Sequence, residues 1–122
     1  MDRKVEKDLK AWKQGSLRHP LLLRGARQVG KTYIIEKFGL QSFESFEKVN
    51  FEAQPEAIAF FESLDPFKIL GRLETWTGRQ IRPGKTLLFL DEIQACPNAI
   101  IALRYFKEKI PELHVIGAGS LL

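Results

Sequence analysis

The sequence predicts an α/β fold in which helices cover both faces of an open parallel sheet, in three layers (αβα). Short apolar runs typical of buried parallel strands alternate with segments whose apolar residues recur at helical spacing. Glycine- and proline-containing breaks separate the two kinds of segment. Because parallel strands need a crossover connection between them, this alternation favours parallel pairing over hairpins.

The first part of the chain contains three predicted elements. Apolar residues at helical spacing among charges predict a helix over residues 1–14, ended near Gly15. The apolar run 21–24 follows a proline and predicts a buried strand. Residues 31–38 are expected to form a helix, with Gly39 as its C-terminal stop.

The rest of the chain continues the alternation. Asp65-Pro66 is a strong helix start, since Asp65 can cap the helix and proline suits the first helical position. The predicted elements are a strand over 46–51, a helix over 55–64, a helix from 66 to 78, a strand over 86–90, a helix over 98–110 with Ile101, Leu103 and Phe106 packing inward, and a strand over 113–116.

Composition limits what the chain can be. Its 122 residues, 44% hydrophobic and 28% charged, suit one globular domain with a packed core. No apolar run approaches the ~18 residues of a membrane span, and no signal peptide precedes the first helix. The lone Cys96 has no cysteine to pair with, so we expect a cytoplasmic protein without a membrane partner. The formal net charge of +4 comes from scattered basic residues, which favours a solvated surface over a nucleic-acid face.

One stretch between the first strand and the second helix matches the phosphate-binding pattern G-x-x-x-x-G-K-[ST] at every fixed position. It consists of Gly25, Ala26, Arg27, Gln28, Val29, Gly30, Lys31 and Thr32. Glycines let such a loop curl its N–H groups toward a phosphate, and the following helix adds the positive end of its dipole. Lys31 is expected to reach the β- and γ-phosphates, and Thr32 to offer its hydroxyl to Mg²⁺. The alternative is a glycine-rich turn without a ligand.

A second signal is the pair of carboxylates that follows the third predicted strand, Asp91 and Glu92. Adjacent charges at the end of a buried strand are costly unless a cation or polar ligand lies between them. In a parallel sheet the carboxyl ends of the strands are where ligands bind. We therefore expect Asp91 to hold Mg²⁺ and Glu92 to orient or deprotonate an attacking water. Taken alone, the pair could also be a strand running into a helix cap.

Weaker signals come from three single residues. Ser120 follows the fourth strand, where it could contact a γ-phosphate or the attacking water, or simply cap a turn. Tyr33 could lie near a nucleotide base, although packing in the core is the favoured interpretation. Cys96 is interpreted as structural.

Several classes of nucleotide-binding protein share this loop, and other motifs in the sequence distinguish between them. The sequence lacks the Asn-Lys-x-Asp element of GTPases and the Leu-Ser-Gly-Gly-Gln signature of transporter ATPases. A glutamate directly after the metal-binding aspartate suits water as the acceptor, so Asp91-Glu92 favours hydrolysis of ATP. The sequence therefore predicts a P-loop NTPase-type sheet, with residues 1–17 forming a preceding helix and residues 18–122 a partial nucleotide-binding domain.

The stretches RGARQVGKT, LDPFKIL, LLFLDEIQACPNAI and LRYFKEKIPELHVIGAGSLL resemble the N-terminal AAA+-superfamily ATPase domain of prokaryotic proteins that carry a C-terminal domain of poorly known function. The resemblance implies that the phosphate-loop strand lies beside the fourth strand, that residues 25–32 bind nucleotide, and that Asp91 serves the metal. It also implies that Glu92 serves the water and that Ser120 is a sensor-like position.

Members of that family continue past the position of Leu122 through a fifth strand, a helical lid and a second domain. The resemblance therefore implies a fold truncated after the fourth strand, in which Mg·ATP binding is retained and hydrolysis belongs to the full-length form. It also implies an open edge at residues 21–23, through which the chain is expected to self-associate. A non-hydrolysing interaction module controlled by nucleotide is the main alternative, and a DNA-associated ATPase a lesser one.

Overall fold

A computed structural model describes residues 3–15, 19–24 and 29–120, with side chains for all of these except Arg3 and residues 29–31. The elements are α1 (Arg3–Gln14), β1 (Leu21–Arg24), α2 (Val29–Ser42), β2 (Ser45–Asn50), α3 (Pro66–Thr77), β3 (Thr86–Asp91), α4 (Pro97–Lys109) and β4 (His114–Gly119). Two 3₁₀ helices cover Pro55–Phe61 and Ile93–Ala95.

The four strands form one parallel sheet in the order β1-β4-β3-β2. Strand β3 lies inside the sheet and is buried at every position, as its unbroken apolar sequence predicts. Strand β1 pairs with β4, which confirms the neighbour that the family resemblance implies. Strands β1 and β2 form the two edges of the described sheet.

Alternate residues of the central strands pack into two separate cores. Leu88, Leu90 and Val115 face a core shared with α3 and α4. Leu87, Phe89 and Ile116 face a second core shared with α1 and α2. The sheet therefore lies between two helical layers, and the predicted α/β class and three-layer αβα arrangement are confirmed.

Helix α3 begins and ends where the sequence predicts. The Asp65 carboxylate accepts a hydrogen bond from the Phe67 N–H at 3.0 Å, and Pro66 occupies the first helical position. Gly78 ends the helix in the left-handed conformation, at φ 76°. Both ends are set by local chemistry, which explains why the sequence predicts them.

Gly39 is not the end of a helix, contrary to the sequence prediction. Helix α2 continues through it to Ser42. A Cβ atom at Gly39 would lie 2.9 Å from Cε1 and 3.0 Å from Cγ of the Phe46 ring, and closer still to Cδ1. The glycine is therefore explained by the close approach of an aromatic ring from β2, not by helix termination.

Three further expectations need correction. The segment predicted as a helix over 55–64 is a 3₁₀ helix ending at Phe61, whose ring is fully buried. Ile101 on α4 is 48% exposed, whereas Leu103 and Phe106 pack inward as predicted. Strand β4 extends past Ile116 to Gly119, because its small residues pair with β1 and β3 despite their low strand propensity.

Candidate functional site

The carboxyl ends of the four strands lie together at one edge of the sheet. Asn50 of β2 pairs with Asp91 of β3, Asp91 pairs with Ala118 of β4, and Ala118 pairs with Leu23 of β1. This level of the sheet is where parallel α/β folds bind ligands, since the loops that follow the strands converge there. The strand that ends at the predicted carboxylates and the strand that precedes the predicted phosphate loop therefore both end at the same edge of the sheet.

The predicted phosphate loop, residues 25–32, is only partly covered by the structure. Residues 25–28 lie outside the described residues, and α2 begins at Val29, two residues earlier than predicted. The backbone of Gly30 and Lys31 thus belongs to the first turn of a 14-residue helix that directly follows the loop. A helix of this length presents unpaired N–H groups and a positive dipole end to an anion at its N-terminus. Thr32 lies in the same first turn and is half-buried.

Asp91 is the last residue of β3, and the residue is 8% exposed. Its Oδ1 accepts a hydrogen bond from the Glu92 N–H at 2.9 Å. The pKa of the Asp91 carboxyl is raised, with burial as the largest cause, and the hydrogen bond from the Glu92 N–H and the Lys48 ammonium oppose this rise. The charge of a carboxylate in such a position is poorly compensated, and carboxylate oxygens of this kind suit a hard divalent cation.

Lys48 of β2 links Asp91 to helix α2. Its Nζ lies 2.7 Å from Oε2 of Glu36 and 3.9 Å from Oδ2 of Asp91, so its closer partner is the helix. Glu36 lies four residues after Thr32, and residues at this spacing share one face of a helix. Thr32 therefore shares with Glu36 the face of α2 that is turned toward Lys48.

Glu92 has an unusual backbone conformation. Its φ of 49° and ψ of 48° place it in the left-handed region, and among the described residues it is the one non-glycine with a positive φ. Such a conformation is unfavourable for a residue with a β-carbon, and residues held in it cluster at functional sites. The turn sends the chain from β3 into the 3₁₀ helix Ile93–Ala95 and fixes where the Glu92 side chain begins.

The Glu92 carboxylate is held by side chains from two directions. Gln94 Nε2 donates to Glu92 Oε1 at 2.9 Å, and Ser120 Oγ donates to the same oxygen at 3.5 Å. The structure thus brings Ser120, predicted as a sensor-like residue, to the predicted water-orienting carboxylate. Gln94 also approaches Glu52 Oε2, at 3.5 Å from its Nε2.

Sequence reasoning missed Lys48, Glu36 and Gln94 as members of this site. A charged residue in the middle of a strand that neighbours the Asp91 strand is a signal that could have identified Lys48. Gln94 lies two residues after Glu92, but spacing alone does not show that its side chain turns back. Glu36 carries no sequence signal, because charged residues on helices are usually solvated.

Two residues considered as minor candidates have clear positions. Tyr33 is 53% exposed, so the favoured interpretation as a core residue is wrong. Cys96 is fully buried between the 3₁₀ helix Ile93–Ala95 and α4, and burial raises the pKa of its thiol. A buried thiol of raised pKa is unreactive, which agrees with a structural role.

The fold belongs to the P-loop NTPase-like class of α/β proteins. This class is defined by the parallel sheet, the helix after the glycine-rich loop, and the carboxylates at the end of the central strand. Comparison with protein families gives the family: residues 17–122 match the AAA domain. The chain therefore belongs to the AAA domain family of AAA-type ATPases, a family of nucleotide-binding domains.

A search of curated proteins found no relative that matches the chain. Within residues 3–15, 19–24 and 29–120, the helices are too short or too polar to cross a membrane.

Proposed function

We propose that this chain binds Mg·ATP and that its full-length form hydrolyses ATP. The observation that carries the proposal is Asp91, a carboxylate at the end of the buried central strand whose pKa is raised by burial. It lies beside the helix that follows the phosphate loop. Membership of the AAA domain family supports the same activity. We further propose that the chain is the N-terminal ATPase domain of a prokaryotic cytoplasmic protein with an additional C-terminal domain.

The residues fit a magnesium ion that is shared with a nucleotide. Among the described residues, no group of three or more His, Cys, Asp or Glu side chains could hold a metal unaided. Asp91 and the Thr32 hydroxyl are the kind of oxygen donors that Mg²⁺ uses together with waters and substrate phosphates. A bound Mg²⁺ would neutralise phosphate charge and help fix the phosphates in place.

The roles of the other residues follow from their positions and chemistry. Residues 25–30 and the N-terminus of α2 would cradle the phosphates through backbone N–H groups, and Lys31 would contact the β- and γ-phosphates. Glu92 would orient the attacking water and accept its proton, and Ser120 would contact the γ-phosphate or that water. The hydrogen bonds at Glu92 Oε1 leave the second carboxylate oxygen as the acceptor for the water.

Two substitutions test the proposal. Lys31→Ala is expected to weaken Mg·ATP binding by at least about tenfold, because it removes the cation nearest the phosphates. Glu92→Gln is expected to leave Mg·ATP binding unchanged and to lower hydrolysis by roughly 10²- to 10⁴-fold, the range for loss of a general base. Binding is measured by titration with a fluorescent ATP analogue, with and without Mg²⁺, and hydrolysis by phosphate release from the full-length form.

Matched controls are available on the chain surface. Lys68→Ala and Glu56→Gln make the same changes at exposed positions of α3 and of the 3₁₀ helix Pro55–Phe61. Both controls should bind and hydrolyse as the unmodified protein does. Absence of Mg²⁺-dependent nucleotide binding refutes the proposal as a whole. Binding without hydrolysis in the full-length form refutes the enzymatic part alone.

The second candidate function is a nucleotide-dependent interaction module that does not hydrolyse ATP. It is favoured by the outer edge of β1, since within the described sheet β1 pairs with β4 on one side, and its leucines are half-buried. An apolar edge strand is a site for pairing with a second copy of the chain. Sedimentation velocity over a wide concentration range, with and without ATP, tests this. A monomer under all conditions would count against self-association through this edge.

A further inference from the structure

The side-chain amide of Gln94 lies between two carboxylates at the edge of the candidate site, those of Glu92 and Glu52. Its Nε2 donates to Glu92 Oε1 at 2.9 Å and lies 3.5 Å from Glu52 Oε2. Its Oε1 is buried and has no hydrogen-bond partner among the described residues. Gln94 therefore makes its amide hydrogen bonds to carboxylates and leaves its own oxygen unpaired.

The orientation of this amide follows from charge. If the amide were rotated by half a turn, its oxygen would face the carboxylates of Glu92 and Glu52, and two acceptors cannot form a hydrogen bond. The observed orientation keeps the donor on the carboxylates even though a buried oxygen is left without a partner. An unpaired buried acceptor is rare in folded proteins, which indicates that the contact with Glu92 has a role beyond packing.

We propose that Gln94 is the positioning residue for Glu92 and fixes its carboxylate for the reaction. The inference rests on the proposed function, since it deepens the role given to Glu92. By engaging Oε1, the amide leaves Oε2 to face the attacking water and limits rotation of the carboxylate. The left-handed backbone of Glu92, at φ 49°, fixes the start of the same side chain. Glu92 is thereby held at both ends.

Neighbouring polar groups do not replace Gln94 in this role. Ser120 Oγ reaches Glu92 Oε1 at 3.5 Å, at the outer limit for a hydrogen bond. Asn50, on the adjacent strand, accepts hydrogen bonds at its Oδ1 from the Glu52 and Ala53 N–H groups at 2.9 and 3.0 Å, and its side chain makes no hydrogen bond to Glu92 among the described residues. The 2.9 Å contact from Gln94 is the shortest side-chain contact to the Glu92 carboxylate among the described residues.

The first test observes the contact without any turnover. In ¹⁵N-labelled protein without nucleotide, the side-chain amide of Gln94 is assigned by its disappearance in Gln94→Leu. Its hydrogen exchange is expected to be at least about tenfold slower than that of the exposed Gln41, because a hydrogen-bonded donor is protected. Glu92→Ala removes the acceptor and should bring the exchange of Gln94 close to that of Gln41. Equal exchange before and after Glu92→Ala overturns the proposal.

The second test measures the consequence for catalysis in the full-length form. Gln94→Leu is expected to lower kcat by roughly 10- to 100-fold with an unchanged KM for Mg·ATP, because a misplaced catalytic group loses rate without losing ground-state binding. The matched control Gln41→Leu should leave both constants unchanged. An unchanged kcat for Gln94→Leu, or a rise in KM alone, overturns the proposal.

The two tests separate this inference from the proposed function. If the full-length form binds Mg·ATP but hydrolyses none, the proposed enzymatic function fails, and the exchange experiment still decides whether Gln94 holds Glu92. If hydrolysis is present and the Gln94 amide exchanges like Gln41, the inference fails and the proposed function stands.

Discussion

Gly39, inside α2, provides a quantitative test of how the helix after the predicted phosphate loop packs on the sheet. The perturbation is Gly39→Ala. A methyl group there would lie within 3.0 Å of several atoms of the Phe46 ring, and that ring is itself stacked on Phe89 with centroids 6.3 Å apart. Either the ring or the helix must move, and overpacking of this kind costs about 1–3 kcal/mol.

The same substitution also increases the stability of the helix, and the size of this increase can be measured at a second glycine. Replacing glycine by alanine within a helix stabilises it by about 0.8–1.0 kcal/mol when there is room for the methyl group. Gly71 lies inside α3 with no atom within 4 Å of the position of a Cβ, so Gly71→Ala should show the gain alone. The free energies of unfolding of the two variants should therefore differ by about 1–3 kcal/mol, with Gly39→Ala the less stable.

The assay is urea denaturation followed by fluorescence, supported by the thermal midpoint, where 1 kcal/mol corresponds to about 4 °C for a domain of this size. In a double-mutant cycle, the change Gly39→Ala should no longer destabilise the protein when it is made in the Phe46→Ala variant, because the ring that the methyl group would meet is then absent. If Gly39→Ala and Gly71→Ala stabilise the protein equally, the ring does not pack against Gly39, and the explanation of why the helix contains a glycine is wrong.

Two further predictions concern charge and capping. Because the pKa of Asp91 is raised in the folded protein, the folded state holds its proton more tightly than the unfolded state, so stability falls as pH rises through the raised pKa. Asp91→Asn should remove that part of the pH dependence and raise the urea midpoint of the nucleotide-free protein above pH 7. A tenfold difference in proton affinity between the folded and unfolded states corresponds to about 1.4 kcal/mol of stability. The same variant should abolish the effect of Mg²⁺ on ATP binding, and a lower urea midpoint than that of the unmodified protein above pH 7 would contradict the prediction. Asp65→Ala removes the cap on the Phe67 N–H and should cost about 1 kcal/mol, whereas Asp65→Ser keeps a cap and should be nearly neutral; equal losses for the two variants, measured by urea denaturation, would show that the cap is not what stabilises α3.

Features set by local chemistry can be predicted from the sequence. The ends of α3 follow from Asp65, Pro66 and Gly78, each of which acts on its own helix. Strand β3 follows from an apolar run that has no polar face. The glycine-rich loop and the carboxylates after β3 are recognisable as a pair, because the alternation of strands and helices implies that both lie at the same edge of the sheet.

Features set by distant residues cannot be predicted in this way. The sequence wrongly predicts a helix end at Gly39, because the reason for the glycine, the Phe46 ring, lies on a neighbouring strand. The extension of β4 to Gly119 depends on pairing with two strands and not on the propensity of its glycines. Lys48 and Gln94 belong to no motif, and their roles depend on side-chain directions that are fixed only when β2, β3 and α2 are assembled.

The alternation of side chains along β3 has a consequence for how mutations would act on this site. Phe89 and Asp91 face the α2 layer, whereas Leu90 faces the α3 and α4 layer. Because successive side chains point to opposite faces of a strand, Asp91 reaches the α2 side only if it is separated from Phe89 by an odd number of residues. Exchanging the two acids would keep charge and composition but present the wrong carboxylate to Lys48 and helix α2. An insertion or deletion of one residue within β3 would have the same effect, while a change of two residues would restore the faces. For this site, the parity of an insertion matters more than its length.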